Sequence, residues 1–353
     1  MTDPYFSYDV VHEVSSGDAG QPIVFYKRTR LKVVPPRRLS EKDLREVLGL
    51  GGTAAATLLP SRTWPALGRL ASNLRYRRKR RKGYAAFLDA MQRVLGNEVE
   101  AECEAFFRNH LENLARRRFM FTIDELAGGR KPQIDVVGAE RLRAALDRGR
   151  GAIVWASQFV YQTLAGKRAL WEQGFRPIQI SDPYHGFSDT IFGNVSINPL
   201  LRRAEGRYLK DRITFDRESG ATVTRKIVSL LDQGELIILT NNLHAGSMFV
   251  EMRFGERGHV SMPTAPLSIV ARRATPFFSM ATLETVPFAR MEAVIEPIGD
   301  ATLEAADPRS KRDYESMARL ALIARDNLLT QFRRAPDQFL LPAGLGRSKF
   351  EAE

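Results

Sequence analysis

From Pro132 onward, short β-branched runs alternate with helical segments, and this alternation restricts the fold more than any other feature of the chain. The runs are QIDVV, GAIVWA, RPIQI, GELIILT, PFFSMATLE and MEAVIEPI. Between them lie segments with helical periodicity, such as AERLRAALDRG and SGATVTRKIVSLLDQG. Such alternation with short connections predicts right-handed crossovers and a mostly parallel sheet with helices on both faces. The predicted fold class is therefore α/β, with a helical N-terminal section ahead of the sheet.

Composition and periodicity divide the chain into four sections. Residues 1–40 have mixed polarity and no sustained period, end in the punctuation Pro35–Arg38, and are interpreted as an N-terminal arm. Residues 41–130 have helical spacing, and Gly128–Gly129 ends that section. Residues 131–335 form the α/β section, which closes with an amphipathic helix over about 309–334. Residues 336–353 are interpreted as a C-terminal tail.

The 353 residues carry a formal net charge of +12 and a single cysteine, Cys103. A positive field of this size attracts anions such as phospholipid head groups, phosphorylated cofactors or nucleic acid. One cysteine excludes an internal disulfide. Because no cluster of His, Asp and Glu has the spacing of metal ligands, we expect no bound metal. Neither a secretory leader nor a run of roughly 18 apolar residues is present. We therefore expect a cytoplasmic location, with peripheral association to the inner membrane as an open alternative.

The apolar stretch nearest to a membrane segment is Val47–Pro60, VLGLGGTAAATLLP. It is short, rich in Gly and Thr, and closed by a proline. It is either a segment that touches a bilayer interface or a helix that packs on the rest of the protein.

Four stretches occur in an informative order. Gly151–Gly166, GAIVWASQFVYQTLAG, reads as a buried strand, a turn and a helix, and Leu200–Leu209 is a basic stretch. Gly234–Asn242 is a strand that ends in a polar turn, and Phe249–Phe278 contains a Phe–Gly turn and a Pro–Thr helix start. Over about residues 41–299, this order resembles the bacterial lipid A biosynthesis (lauroyl/myristoyl) acyltransferases of the lysophospholipid acyltransferase superfamily. The resemblance implies acyl transfer, with acyl-CoA or acyl carrier protein as donor and no permanently bound cofactor.

The chemistry of that family requires a histidine as general base and a carboxylate after four intervening residues, and the aligned positions hold Gln158 and Thr163. An amide has no useful basicity near neutral pH, so base assistance worth roughly 10²- to 10⁴-fold is absent there. Of the five histidines, His185 followed by Asp189 comes closest to the required pair. If this segment opens a helix, the two side chains share a face. The alternative is a histidine near a helix start that a local carboxylate holds.

The resemblance implies two further turns at the substrate site. Asn241, Asn242 and His244 follow the strand GELIILT, and they either line the pocket or only form the turn. Phe254 and Gly255 form the Phe–Gly turn of the last stretch.

Four arginines in LLRRAEGRYLKDR are implied phosphate contacts to the acyl carrier or the acceptor, because a planar guanidinium makes paired hydrogen bonds to phosphate. They are Arg202, Arg203, Arg207 and Arg212. Their alternative role is ion pairing with Glu205 or Asp211 on a solvated helix.

The helical section contains a strongly basic run, RYRRKRRKG, at residues 75–83. Its charges are Arg75, Arg77, Arg78, Lys79, Arg80, Arg81 and Lys82. Facing an anionic membrane, each charge contributes about 1 kcal/mol of attraction. The alternatives are a solvated face without a partner and a contact to RNA phosphates, although the one interleaved aromatic, Tyr76, is too little for a stacking platform.

Three functions therefore stay open. The first is an acyltransferase that acts by positioning and oxyanion stabilisation, with Gln158 as a donor to the oxyanion, or that takes its base from His185 or His244. The second is a catalytically inactive protein that binds lipid or an acyl carrier protein. The third is RNA-dependent acyl or aminoacyl transfer. The expected partners are an anionic membrane surface and acyl carrier protein.

Overall fold

The computed structural model describes residues 6–15, 22–31, 37–125, 131–181, 185–214, 220–240, 247–299, 313–340 and 345. The strands are β1 (Phe6–Val14), β2 (Ile23–Leu31), β3 (Gln133–Val137), β4 (Ala152–Ala156), β5 (Ile178–Ser181), β6 (Asp211–Thr214), β7 (Leu236–Thr240), β8 (Met248–Phe254), β9 (Gly258–Pro263), β10 (Phe277–Val286) and β11 (Arg290–Gly299). The helices are α1 (Glu41–Thr57), α2 (Trp64–Leu95), α3 (Glu100–Glu125), α4 (Ala139–Leu146), α5 (Lys167–Glu172), α6 (Asn198–Gly206), α7 (Gly220–Asp232), α8 (Thr264–Arg273) and α9 (Tyr314–Arg334).

The central sheet has seven strands in the order β3-β11-β10-β4-β7-β5-β6. Strands β10, β4, β7, β5 and β6 are parallel to one another. Strand β11 is antiparallel to β10, and β3 is parallel to β11. The prediction of an α/β protein with a mostly parallel sheet and a helical N-terminal section is thus confirmed, and each of the six predicted strands is present.

Helices cover both faces of this sheet. In β4, Ile153 and Trp155 belong to one core cluster, which contains residues of α7, α8 and α9. Ala152, Val154 and Ala156 belong to a second cluster, which contains residues of α4 and α5. Since successive side chains of a strand point to opposite faces, a strand buried on both faces is apolar at every position. This is why GAIVWA shows no alternation of polarity.

A second sheet is antiparallel and has the order β1-β2-β8-β9. Its first two strands come from residues 1–40, the section that the sequence analysis interpreted as an N-terminal arm without assigning strands to it. Val24 of β2 pairs with Glu251 of β8, so the first forty residues are joined to the α/β section. The pairing partners are more than 200 residues apart in sequence, and no local pattern reveals such a pairing.

The helical section consists of α1, α2 and α3. Helices α2 and α3 pack together through aromatic side chains, with the rings of Phe87 and Phe107 5.3 Å apart. The basic run lies within α2, which is continuous over 32 residues, and not at a junction of two helices. Within the described ranges, no helix has both the length and the hydropathy that crossing a bilayer requires.

The turn between β8 and β9 fastens this second sheet to the end of α2. Phe254 is fully buried, with its ring 5.7 Å from that of Phe332. Gly255 has φ +70°, and a Cβ atom there would lie 2.0 Å from the carbonyl oxygen of Val94. The next amide, of Glu256, donates to that same oxygen. In the structure, the Phe–Gly turn therefore has a packing role, because Phe254 lies in the core and Gly255 lies against the end of α2.

We expect Gly255→Ala to lower the free energy of unfolding by about 1–3 kcal/mol or more, because of its positive φ and the contact with backbone. Gly52→Ala in α1 is the matched control, since a Cβ atom there meets nothing within 4 Å. It should change stability by no more than about 1 kcal/mol, in the stabilising direction. Urea unfolding of both variants measures the difference, and equal stabilities would contradict the packing role.

Candidate functional site

The turn after β4, which holds Gln158, is covered by the C-terminal segment Pro336–Leu340. The main-chain amide of Leu340 donates to the carbonyl oxygen of Gln158 at 2.8 Å. The main-chain amide of Val160 donates to the carbonyl oxygen of Gln338, also at 2.8 Å. Gln158 itself is half-buried. Part of the predicted tail is thus built into the fold, and it fixes the main chain of the turn.

Thr163, the second member of the aligned pair, is half-buried in a π-helical turn, Gln162–Gly166. Its neighbour Gln162 is buried, and neither polar atom of its carboxamide has a hydrogen-bond partner in the described part of the chain. The buried hydroxyl of Thr282 also lacks one there. Sequence reasoning missed this pair of polar groups, because only the fold brings β10 behind the turn.

A buried polar network holds the same turn to its surroundings. The Tyr161 hydroxyl donates to Glu284 Oε2 at 2.8 Å, and Arg116 Nε lies 2.7 Å from the same oxygen. The Gln338 side chain bonds both main-chain groups of Glu284, at 2.7 and 2.8 Å. These bonds join α3, β10 and the C-terminal segment, so the network positions the turn and contains no residue of the predicted site.

A second buried network brings together residues that the sequence did predict. Glu205 of α6 is almost fully buried, and its Oε2 atom lies 2.6 Å from Lys167 Nζ and 2.7 Å from Arg212 Nη2. His185 Nε2 lies 3.0 Å from the same oxygen and 3.1 Å from Oε1. Three parts of the chain therefore meet at one carboxylate: the start of α5, the loop after β5, and β6.

The electrostatics of this network follow from burial and close charges. Burial alone would raise the pKa of Glu205, but Lys167, His185 and Arg212 hold it well below its usual range. Burial lowers the pKa of Lys167 to about 8, against the opposing effect of Glu205. At neutral pH the carboxylate is thus a fixed negative charge, and the lysine is mostly protonated.

His185 has the geometry of a histidine oriented by a carboxylate. Its Nε2 atom is engaged by Glu205, its side chain is 23% exposed, and Nδ1 has no partner among the described residues. In His–carboxylate pairs, the carboxylate fixes the ring and its tautomer, and the free nitrogen faces the substrate.

The predicted partner of His185 is wrong. Residues His185 to Thr190 form bends and not a helix, and Asp189 is exposed. The carboxylate that holds the histidine comes from Glu205, 20 residues further along the chain. The i to i+4 spacing therefore missed the carboxylate that contacts His185, because α6 folds back over the loop.

The four predicted arginines do not act as one group. Arg203 and Arg207 form ion pairs with Glu125 at the end of α3. Arg202 Nη2 donates to the carbonyl oxygen of Asn194 at 3.0 Å. Arg203 and Arg207 thus form ion pairs, the role that was the alternative, but with a carboxylate that the sequence did not indicate. Arg212 pairs with Glu205, as that alternative proposed, and this pairing places it in the buried network.

Two other predictions fall partly or wholly outside the described structure. Asn241, Asn242 and His244 lie outside the described residues. Of the basic run, the side chains of Arg81 and Lys82 are not described; Arg77, Arg78, Lys79 and Arg80 are exposed, and Arg75 is half-buried.

Comparison with known proteins gives no match: no protein-family model matches the chain, and no curated protein is similar to it in sequence. Within the residues that the structure describes, no group of three or more His, Cys, Asp or Glu side chains is placed to hold a metal ion.

Replacing Glu205 should be costly for stability. Glu205→Gln leaves Lys167 and Arg212 buried without their anion, and we expect the free energy of unfolding to fall by about 3–5 kcal/mol. Glu41→Gln is the control, because Glu41 pairs with Arg45 while its side chain is 86% exposed; it should cost less than about 0.5 kcal/mol. Chemical unfolding measures both, and a loss for Glu205→Gln no larger than that of the control would refute the network.

Proposed function

We propose that the protein transfers an acyl group from a thioester donor to a hydroxyl acceptor, with His185 as general base and Glu205 as the carboxylate that orients it. The observation that carries this proposal is the contact between His185 Nε2 and the buried Glu205 carboxylate, 3.0 Å at Oε2. It supplies a base–carboxylate pair to a chain whose aligned positions hold Gln158 and Thr163.

The reaction follows from the roles of the two side chains. Nδ1 of His185 accepts the proton of the acceptor hydroxyl while its oxygen forms a bond to the thioester carbonyl carbon. The carbon–sulfur bond breaks, and the thiolate leaves with the proton that the imidazolium returns. Glu205 stabilises the imidazolium in between, because its charge lies against the opposite ring nitrogen.

The place of His185 in the sheet supports this role. His185 follows β5 and Gln158 follows β4, and these strands are parallel, so both residues lie at the same edge of the sheet. Only β7 lies between the two strands, which puts their ends about 10 Å apart. Ligands in open α/β sheets bind beyond this edge. A base after β5 can therefore serve a substrate that also reaches the turn after β4.

His185→Gln should lower the rate of acyl transfer by about 10²- to 10⁴-fold while the protein stays folded, because glutamine keeps a donor toward Glu205 and removes the base. The assay incubates acyl-CoA or acyl carrier protein donors with hydroxyl acceptors and follows both by mass spectrometry. The control is His12→Gln, which replaces an exposed histidine that stacks on Tyr314. Equal rates for the two variants would refute the assignment of the base.

The alternative is a catalytically inactive protein that binds lipid or an acyl carrier protein. One observation favours it: Lys167 and Arg212 share the Glu205 carboxylate, which weakens its effect on His185. Donor left unchanged by the wild-type protein with every acceptor, together with saturable lipid binding, would establish this alternative. RNA-dependent transfer has less support, since Tyr76 is buried with its hydroxyl bonded to Glu104 and cannot stack on a base.

We also propose that the protein acts at an anionic membrane surface, for which α1 is the main support. The polar side chains of Asp43, Glu46 and Thr53 in this helix are buried. Its apolar side chains are exposed instead, Leu44 by 62% and Leu48 by 66%. A helix of a protein that meets only water has the opposite arrangement. The exposed apolar side chains of α1 are suited to insertion into the interface of a bilayer.

Neighbouring elements extend this apolar surface. The segment 191–200, which contacts α1, exposes Ile191, Phe192, Val195 and Leu200. Exposed cations border the surface: Arg37, Arg38, Lys42 and Arg45 around the start of α1, and Arg77, Arg78, Lys79 and Arg80 on α2. Apolar insertion and attraction to anionic head groups are the two signals that reversible attachment requires.

The triple variant Leu44→Ser, Leu48→Ser, Leu58→Ser should bind vesicles at least tenfold more weakly, because each exposed leucine that enters the bilayer contributes up to roughly 1.5–3 kcal/mol. Co-sedimentation with vesicles of phosphatidylglycerol and phosphatidylcholine measures the binding. Val10→Ser, Val137→Ser, Ile323→Ser is the matched control, since these side chains are exposed on other elements. Similar binding of both triple variants would refute the assigned surface.

A further inference from the structure

The Glu205 network contains more positive than negative charge. Lys167 and Arg212 contact the carboxylate directly. Arg117 of α3 packs on Phe187, two residues after His185. Burial lowers the pKa of Arg117, and the nearby Glu205 charge opposes that shift. Among the residues that the structure describes, one carboxylate, that of Glu205, stands against these three cations. The other acidic group near Arg117 is Glu46, and Arg118 already binds it through two hydrogen bonds of 2.6 and 2.9 Å. Within the described part of the chain, this cluster therefore has a surplus of about two positive charges.

Two donors of these arginines are unused. Arg117 Nε and Arg212 Nη1 are buried, and neither has a hydrogen-bond partner among the described residues. A buried donor without a partner destabilises the folded state, and more so when it carries charge. Two such donors beside surplus charge indicate that an anion completes the cluster.

The guanidinium of Arg117 is held in place by two aromatic rings. Its Cζ lies 4.9 Å from the ring centroid of Phe187 and 5.9 Å from that of Phe121. The side chain as a whole is only half-buried, and His185, two residues before Phe187, is 23% exposed. A guanidinium packed against rings is restricted to few orientations, which favours paired hydrogen bonds to a tetrahedral oxyanion.

We infer that Arg117, Arg212 and Lys167 form a binding site for a dianionic phosphate group next to His185. The surplus charge matches a dianion, and the two unused donors match phosphate oxygens. The claim that this phosphate belongs to a substrate rests on the proposed function, but the binding itself does not. With phosphate in this site, the remainder of the same molecule lies within reach of His185 Nδ1.

The first test measures inorganic phosphate binding to the full chain by equilibrium dialysis, and thermal unfolding in phosphate against chloride at equal ionic strength. The wild-type protein should bind phosphate saturably and gain a few degrees in Tm. Arg117→Met should lose at least tenfold in affinity and most of the phosphate-dependent gain. In phosphate-free buffer its Tm should equal or exceed that of the wild type, since an unpaired cation has been removed.

The matched control is Arg333→Met, an exposed arginine at the end of α9 that should leave phosphate binding unchanged. Arg117→Lys is a second variant, which keeps the charge and loses the planar fork, and its affinity should lie between those of the wild type and Arg117→Met. Phosphate that neither binds nor stabilises the wild type, or binds equally to Arg117→Met, overturns the inference.

Two further ligands identify the source of the phosphate. Tighter binding of coenzyme A than of 3′-dephospho-coenzyme A would assign the site to the donor. Equal binding of both, with competition by glycerol 3-phosphate, would assign it to a lipid head group. Either result supports a phosphate site. Phosphate binding without acyl transfer would refute the proposed function and leave this inference standing. Acyl transfer that depends on His185 but occurs without phosphate binding would support the proposed function and refute this inference.

Discussion

The buried carboxylate of Glu205 is the interaction on which the candidate site depends. It is bonded by Lys167 at the start of α5, by His185 in the loop after β5, and by Arg212 in β6. Lys167 and Arg212 could not stay inside the fold without a counter-charge, since a buried unpaired ion costs several kcal/mol. The same carboxylate therefore stabilises the α5–α6 face of the sheet and orients His185, whose Nδ1 atom has no partner among the described residues. Stability and the proposed chemistry cannot be separated at this residue.

The surface proposed to meet the membrane and the loop that carries the proposed base are one continuous structure. The buried side of α1 is polar because Asp43 accepts hydrogen bonds from Ser188 and Thr190, just beyond His185. Glu46 in turn binds Arg118, the neighbour of Arg117. The polar face of α1 thus contacts the segments that carry the candidate site, and its apolar face points away from the rest of the protein. A helix that both faces a bilayer and positions a catalytic loop would place the base close to lipid substrates.

Sequence patterns predicted the central sheet well and the candidate site only in part. Runs such as GAIVWA are apolar at every position because both faces of β4 are buried, and this signal is local. The strands β1 and β2 were missed, since their pairing with β8 joins segments far apart in the chain. His185 was found through its spacing to Asp189, but its carboxylate is Glu205. Arg117 was missed altogether, because a single arginine in an Arg-rich helix carries no signal of the network it joins.

What the sequence determined by itself is the set of local structures: strands where β-branched runs lie, helices where apolar residues recur with a period of 3.6, and a strongly positive charge. It also determined that residue 158 cannot act as a base, since this follows from the chemistry of an amide. Only the tertiary structure decided which charges meet. Ion pairs such as that of Glu205 with Lys167 join residues 38 positions apart, and their partners are selected by how α5, α6 and β6 pack. Electrostatic contacts depend on distance in space, which a pattern of neighbours in sequence does not encode.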